Sequence, residues 1–167
     1  RSQVPKHLKE MFHDENLDYT TIRNYRKEIM EECLQKNGIE LKKGAVELLE
    51  FLKTKNVKRA IATATDEERA RKYLKQIGLE PYFDKIICAT MVEYGKPSPD
   101  IYEYACRQLK LLPEECMAVE DSPNGVLSAY RAGCKVVMVP DQTEPEEALK
   151  EILYGCVENL LEIRKYF

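Results

Sequence analysis

Four short apolar runs interrupt an otherwise helix-patterned chain, and they set its architecture. They are Arg59-Ala60-Ile61-Ala62, Lys85-Ile86-Ile87-Cys88-Ala89, Cys116-Met117-Ala118-Val119 and Lys135-Val136-Val137-Met138-Val139. Each is nearly continuous in hydrophobicity rather than alternating, which predicts strands buried on both faces of a parallel sheet. The stretches between them step by three and four residues, as in Tyr73, Leu74 and Ile77 ahead of a stop at Gly78. Upstream, Ile22, Tyr25, Ile29, Cys33 and Leu34 recur at helical spacing until Gly38, so the first forty residues read as helical. After Gly44, the residues Ala45, Leu48, Leu49 and Leu52 share one helix face. Strand alternating with helix predicts an α/β fold, a doubly wound, Rossmann-like parallel sheet with right-handed crossovers.

Helix starts carry their own signals. Thr65-Asp66-Glu67-Glu68 fits a capping box with Thr65 as the cap and Glu68 reaching back. Ser98-Pro99 and Ser122-Pro123 each place a capping Ser ahead of a Pro at the first helical position.

Composition narrows the class. With 44% hydrophobic and 33% charged residues over 167, the chain reads as a globular domain rather than a disordered one. A net charge of −3 offers no broad basic surface, so nucleic acid is not the expected partner. No apolar run reaches membrane-spanning length, and no signal peptide is expected at its start. The six cysteines form no C-x-x-C pair, so buried reduced thiols in a cytoplasmic protein are expected rather than a zinc site.

Ligands of open parallel sheets bind beyond the carboxyl ends of the strands, so the residues just past each apolar run are informative. Thr63-Ala64-Thr65 comes after the first run, and Tyr94-Gly95-Lys96-Pro97-Ser98 lies in the loop after the second. Glu120-Asp121-Ser122 comes after the third, and Pro140-Asp141 after the fourth. Taken singly, Thr63 could simply end a strand, Lys96 could be a solvated surface charge, and the two carboxylates could be helix-entry residues. Together they predict a Mg²⁺–phosphate site. Adjacent carboxylates at a buried strand end repel unless a cation is near, and Mg²⁺ takes such oxygens together with phosphate. Backbone N–H groups at Thr63–Thr65 suit an anion, and Lys96 adds a compact positive charge. No G-x-G-x-x-G, G-x-x-x-x-G-K-[ST] or G-x-S-x-G segment is present. The order Thr, Lys, carboxylate pair also differs from that of receiver domains.

At these residues the chain resembles the haloacid dehalogenase superfamily, in its β-phosphoglucomutase-like branch with a helical cap. The resemblance runs from about Asp18 to the end. Ile61-Ala62-Thr63-Ala64-Thr65, Gly95-Lys96-Pro97-Ser98-Pro99-Asp100 and Val119-Glu120-Asp121-Ser122-Pro123-Asn124-Gly125, followed by Ala132-Gly133, resemble three of the family's motifs in order. The resemblance implies catalytic roles for Thr63 on the phosphoryl group and Lys96 between phosphoryl and nucleophile. It implies substrate contacts at Ala64, Thr65 and Ser122, and Mg²⁺ ligands at Asp121 and Glu120, the latter direct or outer-shell. The family's remaining motif, an apolar strand followed by Asp-x-Asp that supplies the nucleophile, has no match here. Residues 1–40 are therefore expected to be the remnant of a cap, and 41–167 an α/β core lacking its first strand.

The expected function is a Mg²⁺-dependent phosphatase of small phosphorylated metabolites, sugar phosphates in particular. It is expected to be monomeric when intact and inactive as this segment alone. A β-phosphoglucomutase-type mutase and a non-catalytic binding domain are the alternatives. A missing central strand should leave apolar sheet edge exposed, with poor stability or a partner filling the gap.

Overall fold

The computed structural model describes residues 18–141 and 144–167. Two compact units divide the chain, residues 1–40 and 41–167. In the first, helix α1 spans Tyr19–Asn37 and starts where Asp18 accepts the Thr21 N–H at 3.1 Å. It ends where Gly38 turns to φ 76° and donates back to the Leu34 carbonyl. The apolar residues read there as one face do not form a core: Tyr25 and Ile29 are exposed. The helical reading of residues 1–17 lies outside the described residues.

The second unit runs α2 (Ala45–Thr54), β1 (Ala60–Thr63), α3 (Glu67–Gln76), β2 (Lys85–Cys88), α4 (Asp100–Leu109), β3 (Met117–Glu120), α5 (Pro123–Arg131), β4 (Lys135–Met138), α6 (Glu147–Lys150) and β5 (Gly155–Cys156), then a 3₁₀ segment Leu160–Tyr166. Every observed strand pair is parallel, and helices intervene as the run-and-spacer pattern requires. The four expected strands form within a residue of their predicted positions. The two-residue β5 carries too little apolar pattern to be read from sequence.

The sheet is split. Among the described residues β1 pairs with β2 alone, while β3, β4 and β5 form a separate three-stranded sheet in that order. Ala60 pairs with Lys85 and Thr63 with Cys88 in one half; Met117 pairs with Lys135 and Glu120 with Met138 in the other. Burial differs between the strands. Val136, Val137 and Met138 of the doubly paired β4 are at most 1% exposed, whereas all of β1 is only half-buried and Val119 of β3 is 38% exposed. The expectation of strands buried on both faces therefore fails for β1 and part of β3, which border a cleft, whereas β2, paired on one side only, keeps Ile86, Ile87 and Cys88 buried.

Three clusters hold these pieces. Ile87, Ile101, Ala105, Val126, Ala129, Val136 and Met138 pack between α4, α5 and the sheet halves. On the other face of β4, Val137 and the following Val139 meet Leu48 of α2, Val157 and Ile163. Ala70 and Leu74 of α3 cover Leu79, Ile86 and Cys88.

Two caps differ from expectation. Asp66, not Thr65, caps α3, accepting the Arg69 N–H at 3.1 Å. α4 begins at Asp100, so Ser98 lies two residues outside it and its hydroxyl donates to the Asp100 carboxylate instead. Ser122 behaves as expected, accepting the Gly125 N–H at 3.2 Å.

Candidate active site

Between the open edges of β1 and β3 lies a cleft of about 800 Å³, lined along its length by residues 59–64 and 115–122. Its floor and walls are mostly apolar, with Leu48, Leu49 and Leu52 from α2 and Ala105, Cys106 and Leu109 from α4. Both strands end at this cleft in polar residues, β1 at Thr63 and β3 at Glu120.

Of the residues singled out by sequence, Thr63, Ala64, Lys96, Glu120, Asp121 and Ser122 all line this cleft; Thr65 is not among its lining residues. Thr65 instead donates its N–H to the Thr63 hydroxyl at 3.1 Å. The Thr63 oxygen acts there as an acceptor, so its own proton can point onward. The segment 63–65 closes a strand and precedes a helix capped by Asp66, with Glu67 and Glu68 in its first turn, so the helix end itself is already supplied with negative charge.

Lys96 reaches across the cleft to link both halves. Its Nζ donates to the Ala62 carbonyl of β1 at 3.1 Å and forms an ion pair with Glu120 of β3. The loop that carries it is fastened to α5: the Ser128 hydroxyl donates to the Ser98 carbonyl, and Arg131 donates to the Pro97 carbonyl at 2.9 Å.

Among the described residues, Glu120 and Ser128 are the polar side chains that reach full burial. One Glu120 carboxylate oxygen accepts from Lys96 and from the Tyr102 hydroxyl. The other accepts the Asp121 N–H at 3.3 Å and the Ser122 hydroxyl at 3.5 Å. Gly125 completes the socket, since a Cβ there would run into the carboxylate. The sequence reading puts Mg²⁺ beside both carboxylates; here Lys96 already neutralises Glu120, and Asp121 stands exposed at the mouth.

Tyr102 is absent from the residues that the sequence pattern singles out. Burial and the adjacent Glu120 charge hold its hydroxyl protonated far above the ordinary tyrosine range. Lys96 also stands 5.0 Å over its ring, a cation–π contact. The available signal is chemical: a Tyr on the buried face of a helix needs a partner for its O–H.

Asp121, exposed at the cleft mouth, suits Mg²⁺, which accepts one or two carboxylates and completes its shell with phosphate and water, whereas Glu120 is already held by Lys96 and Tyr102 and fits an outer-shell place. Among the described residues no group of three or more His, Cys, Asp or Glu side chains comes together that could hold a metal ion. Parallel half-sheets, alternating helices and polar residues gathered past the strand ends define a Rossmann-like α/β scaffold.

Comparison with known proteins gives the family. Residues 3–139 match the haloacid dehalogenase-like hydrolases, and the chain belongs to that family. It is 37% identical over 115 residues to a phosphorylated carbohydrates phosphatase of Thermotoga maritima, covering 68% of this chain and 53% of that protein. It is 40% identical over 108 residues to hexitol phosphatase A of Escherichia coli, covering 65% and 50%. Among solved structures, CbbY from Rhodobacter sphaeroides in complex with phosphate superposes with a TM-score of 0.74 at 27% identity, over 90% of this chain and 68% of that one. A family IA hydrolase from Entamoeba histolytica gives 0.79 at 28% identity, over 93% and 72%. The chain spans about half the length of the curated relatives it matches. Among the described residues, no helix is long and apolar enough to cross a membrane.

Proposed function

We propose that this chain forms part of a Mg²⁺-dependent phosphatase for small phosphorylated metabolites, sugar phosphates first among them. The observation that carries this reading is the cleft between β1 and β3, with Thr63 and Lys96 facing Glu120 and Asp121 at its polar end. Its shape fits one further parallel strand, because two open edges and two apolar walls are presented together. In this reading that strand carries an apolar run and then Asp-x-Asp, and its first Asp attacks phosphorus to form an aspartyl-phosphate.

Each residue in place then has a task. The Thr63 hydroxyl and the Ala64 N–H donate to the phosphoryl oxygens. Lys96 neutralises charge shared between the phosphoryl group and the incoming carboxylate, and Glu120 with Tyr102 holds the ammonium in position. Asp121, with Ser122 beside it, faces the metal side. Bound Mg²⁺ would supply positive charge to the phosphoryl oxygens. Such catalysis is positioning and electrostatics, which fixed donors provide best. Residues 1–40 fit the role of a partial helical cap. The names of the curated relatives favour phosphatase over mutase chemistry.

The test is phosphate release from a panel of sugar phosphates, with and without Mg²⁺, using this chain and a form extended by an apolar strand ending in Asp-x-Asp. The chain alone should be inert, and the extended form active, with Lys96→Ala abolishing turnover. Mg²⁺-dependent turnover by the unextended chain would place the nucleophile within these residues and overturn the reading.

A further inference from the structure

A second chemical feature lies under the cleft, away from Lys96 and Glu120. The Cys106 and Cys134 sulfurs are 3.8 Å apart, in contact but unbonded. Cys106 sits on the buried face of α4, and Cys134 directly precedes β4, after the turn at Gly133 with φ 91°. Both are buried in the apolar cluster, 4% and 7% exposed, with Cys116 packed beside it. All three thiols nevertheless line the cleft, which in this chain gives a small reagent a route to them.

We propose that Cys106 and Cys134 form an oxidisable dithiol, a modification site at which hydroperoxides or small disulfides join α4 to the start of β4. A disulfide needs its sulfurs about 2.05 Å apart, so the pair closes through a movement of about 2 Å shared by two side chains. Either thiol can donate to the other across this contact, so the two sulfurs share their protons, and either can attack while the other resolves.

With hydrogen peroxide the steps balance. The thiolate of one of the two attacks one peroxide oxygen, the O–O bond breaks, and hydroxide leaves and takes a proton to become water. The resulting sulfenic acid is then attacked by the partner sulfur. An S–S bond forms as the S–O bond breaks, and the departing hydroxyl leaves with the partner thiol's proton as a second water. Peroxide gains the two electrons that the thiols lose.

Cys106 comes one helical turn after Tyr102 on the same face of α4. The bond would thus act on the helix whose Tyr102 holds Glu120, and its reduction by a dithiol would release that helix.

The experiment maps disulfides by mass spectrometry after brief treatment with hydrogen peroxide, acid trapping, unfolding and alkylation. The intact chain is compared with a Cys33→Ser, Cys156→Ser form, because those two thiols are exposed and would cross-link between molecules. The expected result in both is a Cys106–Cys134 linked peptide with the mass of two hydrogens lost, restored by dithiothreitol. A Cys106–Cys116 link, over-oxidised sulfur without a link, or full alkylation of Cys106 and Cys134 would each overturn the proposal.

Discussion

At the scale of single residues, the decisive group is the Glu120 carboxylate, buried and held by Lys96, Tyr102 and Ser122 over Gly125. Tyr102→Phe removes one donor from a buried charge, and should cost about 1.5–3 kcal/mol in a urea titration. That Glu120 ends β3 and Lys96 lies in the loop after β2 is legible from sequence, because polar residues past the carboxyl ends of apolar runs stand out. Tyr102 is not legible, because an aromatic residue at a helix-core position matches the packing pattern equally well. Asp18 supplies a pH test. Its carboxyl is held below its ordinary value of 3.8, chiefly by the Thr21 and Thr20 N–H groups. A lowered folded value means the stabilisation is present above pH 3.8 and is lost as pH falls through the folded value. Helical circular dichroism should therefore decline in acid by a smaller step in Asp18→Ala than in the parent chain.

At the scale of elements, strand positions can be read closely and helix starts less so. Continuous runs such as Val136-Val137-Met138 admit few alternatives, whereas Thr65 and Asp66 are both good caps one residue apart. The Asp66 side chain wins by accepting the Arg69 N–H. β5 escapes a sequence reading because two residues carry no periodicity; it forms where Gly155 lies against Tyr166, leaving no room for a Cβ. The doubly paired β4 should be the most protected strand. Hydrogen exchange measured by mass spectrometry should show slower exchange over Lys135–Met138 than over Ala60–Thr63, which is paired on one edge.

At the scale of the whole molecule, the separation into two half-sheets governs behaviour. Nothing in the four apolar runs foretells it, since each reads as a strand and none says which neighbour it pairs with. The unmatched Asp-x-Asp motif raises the expectation of an open apolar edge, and β1 and β3 each present one. The form the opening takes, a lined cleft crossed by Lys96, depends on packing that no local pattern encodes. Val119 reports on it directly. At 38% exposure, Val119→Ala should shift unfolding by no more than about 0.5 kcal/mol in this chain. Once a strand occupies the cleft the same substitution should cost about 1 kcal/mol or more, as a buried methyl loss does. Equal costs in the two forms, measured by urea titration, would show that the strand does not pack against β3.

The open edges of β1 and β3 also determine how the chain behaves in a crowded tube. Unpaired backbone beside apolar walls is a template for any extended segment, including one from another copy. Loss of soluble material should consequently track protein concentration more steeply than temperature, and light scattering should rise first in dense samples.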